Sequence, residues 1–318
     1  MKRLCSLAFA SFSLAMCGQS VLESHAQTSV PFLNVEENAA FIALPNHTNA
    51  IRLRLYTNTA PNAAHLFNTF DVDGYGESLV QSPDLELLRS GRSAPSLQSA
   101  CHNILLDAAG PEPGITNGMT LIERASGADW NYVAFDLTRS YSDRVEQYRR
   151  GVLYVQPDLF VIHDHVVAKG RVSFQMLLHP PLATRVDPVW RDLRLDTTKA
   201  SVRINEPSRR ELRMWERLES PLDLVFTNTI TVGVGPTNKV SQLDLLTAVA
   251  IQPHGGKMDY TFKLVESNTA VGARIHRDGL PTLVAFRLDA TNSTSSLDSF
   301  KFDGPVGVSV FQPKRKTR

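Results

Sequence analysis

The sequence predicts an all-β protein, a large antiparallel β-sandwich of stacked sheets with few short helices. Three observations predict it. Apolar and polar residues alternate with period two along most of the chain. Turn-forming Gly, Pro and Asp pairs separate the alternating runs. No strand-like run is followed by a long helical pattern, the mark of a parallel α/β sheet. Length and composition agree: 318 residues, 42% hydrophobic and 20% charged, suffice for a large core and exclude collagen-like, disordered and polytopic membrane chains.

Met1-Lys2-Arg3 opens the chain with positive charge, and Leu4 to Met16 follows as an apolar run too short to span a bilayer, the pattern of a secretory signal. Ser24 and Ala26 suit signal peptidase, so residues 1–26 are expected to be a signal peptide, with Gln27 the first mature residue and a secreted or periplasmic location. Cys17 raises a lipoprotein alternative, against which Met16 is larger than that signal takes. Cleavage removes Cys5 and Cys17 and leaves Cys101, so no disulfide is expected within the mature chain. It also removes Lys2, Arg3 and Glu23, which equalises the 33 basic and 32 acidic residues of the whole sequence. No global charge then attracts nucleic acid or anionic lipid.

Along the mature chain, Ile51, Leu53 and Leu55 alternate with Arg52, Arg54 and Tyr56. The same pattern returns at Val172, Phe174, Met176 and Leu178, at Val202 and Ile204, at Tyr260, Phe262 and Leu264, at Val284, Phe286 and Leu288, and at Val306, Val308 and Val310. Each such segment is expected to bury one face. Asp73-Gly74, Pro111-Glu112-Pro113-Gly114, Pro180-Pro181, Gly235-Pro236, His254-Gly255-Gly256 and Asp278-Gly279 are the turn signals between them. Pro83 to Ser90 and Arg209 to Leu218 are the two candidate short helices, the second also showing alternation. With no internal repeat or linker, residues 27–312 read as one body and 313–318 as a basic tail.

Phosphate-binding Gly loops, zinc-spaced Cys pairs, metalloprotease helices and nucleophile elbows are missing from the sequence. The chemistry-bearing residues are His65, His102-Asn103 and His163-Asp164-His165. On a strand His163 and His165 share a face, with Asp164 on the other, which is half of a zinc site. With no third ligand nearby in sequence, the pair reads as structural or solvent-facing. Trp130, Trp190 and Trp215 are candidates for a sugar platform, against the commoner reading of a sandwich Trp as core.

The run Ser99-Ala100-Cys101-His102-Asn103-Ile104-Leu105-Leu106-Asp107, followed by Tyr141, Arg149 to Asp158 and Phe160 to His165, resembles the C-terminal β-domain of the heparinase II/III-type polysaccharide lyases. Upstream, His65 to Phe70 and Asp73 to Asp84 resemble that family's His cluster, strand and Asp-Pro-Gly segment. The resemblance implies β-elimination on uronic-acid-containing polysaccharide. A base removes the proton α to the carboxylate, positive charge or hydrogen bonds hold the enediolate, and an acid protonates the leaving glycosidic oxygen.

Carried over to this sequence, the resemblance implies His65 and Tyr141 as catalytic residues and Asn103, Arg89 and Arg92 as substrate contacts. It implies one divalent metal, zinc or calcium, at His102 and Asp84. Leu66, Phe67 and Asn68 replace the second His and the acid of the cluster, and Ser82-Pro83-Asp84 stands where the family has Asp-Pro-Gly. No run of amphipathic helices precedes the matched region, so the family's helical toroid is not expected in this chain. The expected partners are an acidic polysaccharide and a helical-toroid protein, with no nucleic acid and no membrane span. Three alternatives stay open: a β-subunit working beside a helical partner, a non-catalytic glycan-binding or assembly module, and a fragment of a longer gene.

Overall fold

Branched and aromatic side chains dominate the longest runs of the chain and pack well on a pleated surface. The computed structural model describes residues 33–36, 39–43, 51–55, 69–80, 105–107, 119–141, 144–207, 212–217, 230–277, 280–288 and 294–310. Its strands are β1 Leu33–Glu36, β2 Ala39–Ala43, β3 Arg52–Leu55, β4 Phe70–Gly74, β5 Glu77–Val80, β6 Leu105–Asp107, β7 Thr120–Ser126, β8 Trp130–Asp136, β9 Val145–Val155, β10 Leu159–Val172, β11 Phe174–Leu178 and β12 Arg185–Asp187. They continue with β13 Asp192–Asp196, β14 Ala200–Asn205, β15 Leu212–Arg217, β16 Thr231–Pro236, β17 Val240–Pro253, β18 Tyr260–Glu266, β19 Ala270–Arg277, β20 Leu280–Arg287, β21 Ser295–Leu297, β22 Phe300–Phe302 and β23 Val306–Val310. Among the described residues there is no helix of seven or more residues.

Every described pairing is antiparallel. An eight-stranded sheet in the order β12-β13-β14-β17-β10-β9-β8-β7 is apolar on both faces. One face carries Val133, Val152, Phe160, Ile162, Leu245 and Val249. These pack on Leu53 and Phe70 of the sheet β1-β2-β3-β4-β5 and on Met176, Val232 and Val234 of the sheet β15-β16-β11-β6. The other face carries Ala134, Leu153, Val161, Leu246 and Ala250 against Val271, Ile275, Val284 and Phe286 of the sheet β18-β19-β20-β23. The result is an antiparallel all-β sandwich of stacked layers, with the eight-stranded sheet in the middle.

The expectation of one buried face per segment holds for β3, where Leu53 and Leu55 are buried and Arg52 is exposed. It fails for β20, which buries Val284 and Phe286 on one side and Leu283 and Ala285 on the other, because Leu297 and Phe302 of the β21-β22 hairpin cover its outer face. Arg209 to Leu218 is corrected as well. Its residues 212–217 form strand β15, paired from Leu212↔Pro236 to Arg217↔Thr231, since burial of Leu212 and Met214 around exposed Arg213 follows period two rather than 3.6. Pro83 to Ser90 lies outside the described residues. Asp73-Gly74 closes β4 rather than forming the turn. The turn is Tyr75-Gly76, with φ of 55° and 80°, the left-handed pair that a two-residue hairpin needs.

Candidate functional site

Strand β10 alternates its side chains between the two cores, and this parity sorts His163-Asp164-His165. Phe160, Ile162 and Val166 belong to one core and Leu159 and Val161 to the other. The two histidines therefore stand on the face toward β18-β19-β20-β23, and Asp164 stands on the opposite face. Across the ladder to β17, His165 is opposite Asp244 and His163 opposite Leu246. His163 Nε2 lies 3.0 Å and His165 Nδ1 2.7 Å from the same Oδ1 of Asp244. Burial pushes the Asp244 carboxyl up, but the hydrogen bonds and charge of His163 and His165 outweigh it and hold the group well below the usual carboxylate range.

The sequence left this pair without a third ligand and favoured a structural or solvent-facing role. Both rings are in fact buried, at 3% and 7% exposure, and strand pairing brings the carboxylate from about eighty residues downstream. The one sequence signal for Asp244 is an acid inside the apolar run Leu243 to Ile251. Such an acid needs a partner.

Beside the histidines, Gly151 leaves room for Tyr132, whose ring and hydroxyl would sit 2.9 Å from a Cβ at that position. Arg149, opposite His165 on β9, donates from Nη2 to the Tyr132 hydroxyl at 2.9 Å and pairs with Glu123, which also meets Arg287 at 3.5 Å. Burial pushes the Tyr132 phenol up to about 12, with Arg149 opposing, so the hydroxyl stays protonated near neutral pH. The ring of Phe286 lies 4.9 Å from that of His163 and forms an apolar wall.

On the other face, Arg150 and Asp164 face each other across β9 and β10 with both side chains fully buried. Arg150 Nε donates to Asp164 Oδ1 at 2.7 Å and Nη2 to Oδ2 at 3.1 Å. The Tyr148 hydroxyl donates to Asp164 at 2.8 Å and accepts from Arg150 at 3.0 Å. Tyr141, the last residue of a 3₁₀ turn at Thr138–Tyr141, is buried edge-on against the Tyr148 ring at 4.9 Å.

A third constellation lies at the β12-β13 connection. Asp187 Oδ1 accepts from the backbone N–H groups of Val189 and Trp190, and Asn205 Nδ2 donates to the Trp190 carbonyl. The loop so fastened leaves the Trp190 side of a cleft of about 560 Å³ open, with Trp190 72% exposed. Arg194 and Arg203 both pair with Asp192 in its floor, Arg203 stacks over Phe262 at 5.6 Å, and Lys263 stands on its wall. Trp130 instead packs against the core.

Of the site residues that the resemblance implies, the structure describes Tyr141 alone. His65, Asp84, Arg89, Arg92, His102 and Asn103 lie outside the described residues, as does Cys101.

No protein-family model matches the chain, and no curated protein matches it in sequence. Solved structures do match. The chain superposes on the heparan sulfate lyase HepC of Pedobacter heparinus with a TM-score of 0.62 and 14% identity, over 83% of this chain and 44% of that one. A second heparinase III structure gives a TM-score of 0.61 and 14% identity, over 80% and 42%. The fold is that of part of heparinase III. The chain thus spans less than half the length of the heparinase III structures it matches, in keeping with their C-terminal β-sandwich domain. The resemblance read from Ser99 to Asp107 and Phe160 to His165 is borne out at the level of the heparinase III fold. No described helix is long and apolar enough to cross a membrane.

Proposed function

We propose that the chain is a secreted or periplasmic polysaccharide lyase-like protein that acts on uronic-acid-containing polysaccharide by β-elimination, with a helical toroid supplying the rest of the cleft. The observation that carries this reading is the heparinase III fold over four fifths of the chain. In this reading His65 and Tyr141 serve proton transfer, and Asn103, Arg89 and Arg92 meet the uronate. His102 and Asp84 hold the zinc or calcium ion that the resemblance implies. The chemistry demands such a set, because the proton α to a carboxylate is weakly acidic until the carboxylate charge is neutralised.

The test mixes the purified chain, alone and with a helical-toroid protein, with heparin-like, alginate-like and other uronate polymers, and follows the ultraviolet absorbance of conjugated uronate. Absorbance is expected to grow with at least one polymer, and His65→Ala to slow it by about 10²-fold or more, the usual worth of a positioned base. Flat traces with every polymer in both arms would end the lyase reading.

The Trp190 cleft favours a second reading, a non-catalytic glycan-binding module. An exposed aromatic face suits a sugar ring, and Arg194, Arg203 and Lys263 around it suit acidic substituents. Here Trp190→Ala is expected to weaken retention on an immobilised acidic glycan about tenfold, roughly 1.4 kcal/mol. His65→Ala and His102→Ala are expected to leave retention unchanged. Retention that ignores Trp190→Ala removes the module reading.

A further inference from the structure

We propose that His163, His165 and Asp244 hold a divalent metal ion of the zinc class, at the rim of the core between the eight-stranded sheet and β18-β19-β20-β23. The donor atoms are two imidazole nitrogens and one carboxylate oxygen, all within 4.8 Å of one another. Such a set suits zinc and its neighbours in the first transition row. Calcium would require six or more oxygens.

A tetrahedral zinc at about 2.0–2.1 Å from each donor sets the donors about 3.3 Å apart. His163 Nε2 and His165 Nδ1 stand 3.0 and 2.7 Å from Asp244 Oδ1, so the carboxylate opens by a few tenths of an ångström on each side while the two imidazole nitrogens, no more than 4.8 Å apart, settle to the same spacing. Three ligands leave the fourth position for water or a ligand oxygen.

The frame is rigid where a metal site needs it to be. His163 and His165 ride on β10 and Asp244 on β17, each strand 14 residues long and hydrogen-bonded on both sides in the middle of the eight-stranded sheet. The imidazoles are nearly sealed, while the Asp244 side chain keeps 16% exposure, which leaves an entry route. Arg149 is the cation nearest in register, opposite His165. Its guanidinium is tied to Glu123 and to the Tyr132 hydroxyl rather than to Asp244. The proposal is independent of the lyase reading, which places its metal at His102 and Asp84.

The test strips the full, untagged chain with a chelator and titrates it with zinc ion, reading binding by calorimetry and metal content. Cobalt(II) serves as a second probe through its visible tetrahedral absorption. Zinc is expected to bind with one equivalent abolished by His163→Gln, His165→Gln or Asp244→Asn, or weakened more than about 100-fold, beyond the 10–100-fold typical of losing a mere outer partner. His102→Ala is expected to leave that equivalent intact. The proposal is overturned if the unaltered chain binds no zinc at about tenfold over micromolar protein, or if bound zinc survives Asp244→Asn and disappears with His102→Ala. Thermal melts of the variants separate loss of the ligand from loss of the fold, and the wild-type titration decides the matter even if a variant fails to fold.

Discussion

Asp164→Asn is expected to lower the stability of the folded chain by about 3–5 kcal/mol, the usual cost of leaving a buried charge without its partner. Arg150 is the reason. Its side chain is fully buried. Burial alone would pull the guanidinium down, but Asp164 first, then Tyr148, outweigh it and drive it well above its ordinary value, so Arg150 stays charged in the core. Removing the carboxylate's charge leaves that cation facing Phe70 at 5.8 Å, Tyr148 at 5.9 Å and an amide. Replacing both partners by apolar residues, Arg150→Met with Asp164→Leu, is expected to recover most of the loss, because nothing charged then remains to be desolvated. Urea midpoints of the two single variants and the double variant check this. A single-variant loss within about 0.5 kcal/mol, the range of a surface change, would contradict the argument.

The sandwich was legible because period-two burial is a local property. The runs at Leu53, Val202, Tyr260, Val284 and Val306 all lie on strands, and even the helix read at Arg209 to Leu218 carried in its alternation the signal that the structure follows. What alternation cannot reveal is how many layers cover a strand. Leu159 to Ile162 is uninterrupted apolar sequence because both faces of β10 are covered. That is the pattern of a strand covered on both sides, and Leu283 to Phe286 of β20 shows it as well beneath the β21-β22 hairpin.

The candidate site was half legible for the same reason. A strand places His163 and His165 on one face by geometry alone, and Asp164 on the other. The third donor depends on which strand lies beside β10, and β17 comes from a segment that sequence spacing does not associate with it. Arg149-Arg150 shows the same limit. Two adjacent arginines read alike in sequence, but pleating sends Arg149 to Glu123 at the rim and Arg150 to Asp164 in the core. The cleft beside Trp190 was visible only as one exposed-aromatic candidate among three, since its cations arrive from β13, β14 and β18.

Glu206→Gln is expected to flatten the pH dependence of stability and to make the chain more stable at pH 8, with little difference near pH 4. Glu206 is fully buried, its Oε1 accepts from the Thr247 hydroxyl at 2.7 Å, and its Oε2 has no hydrogen-bond partner among the described residues. Burial pushes the carboxyl well above its ordinary value. The Thr247 bond and the charge of Arg191 oppose this and the nearby Asp164 adds to it, so the folded chain holds the Glu206 proton to higher pH than an ordinary carboxyl does. In the unfolded chain the same group gives up its proton near pH 4.3. Above that pH the folded state holds the extra proton, so stability falls as pH rises, by about 1.4 kcal/mol per pH unit, until the buried group itself ionises. Glutamine has the same shape and no proton to hold, which removes this slope and leaves the rest of the curve. Its amide cannot match the carboxyl at Oε2 any better, so no gain is expected at low pH, where the wild-type acid is neutral in both states. Urea midpoints at pH 4, 6 and 8 separate the two curves. Parallel curves would mean that Glu206 is ionised in the folded chain, with the Arg191 charge outweighing its burial.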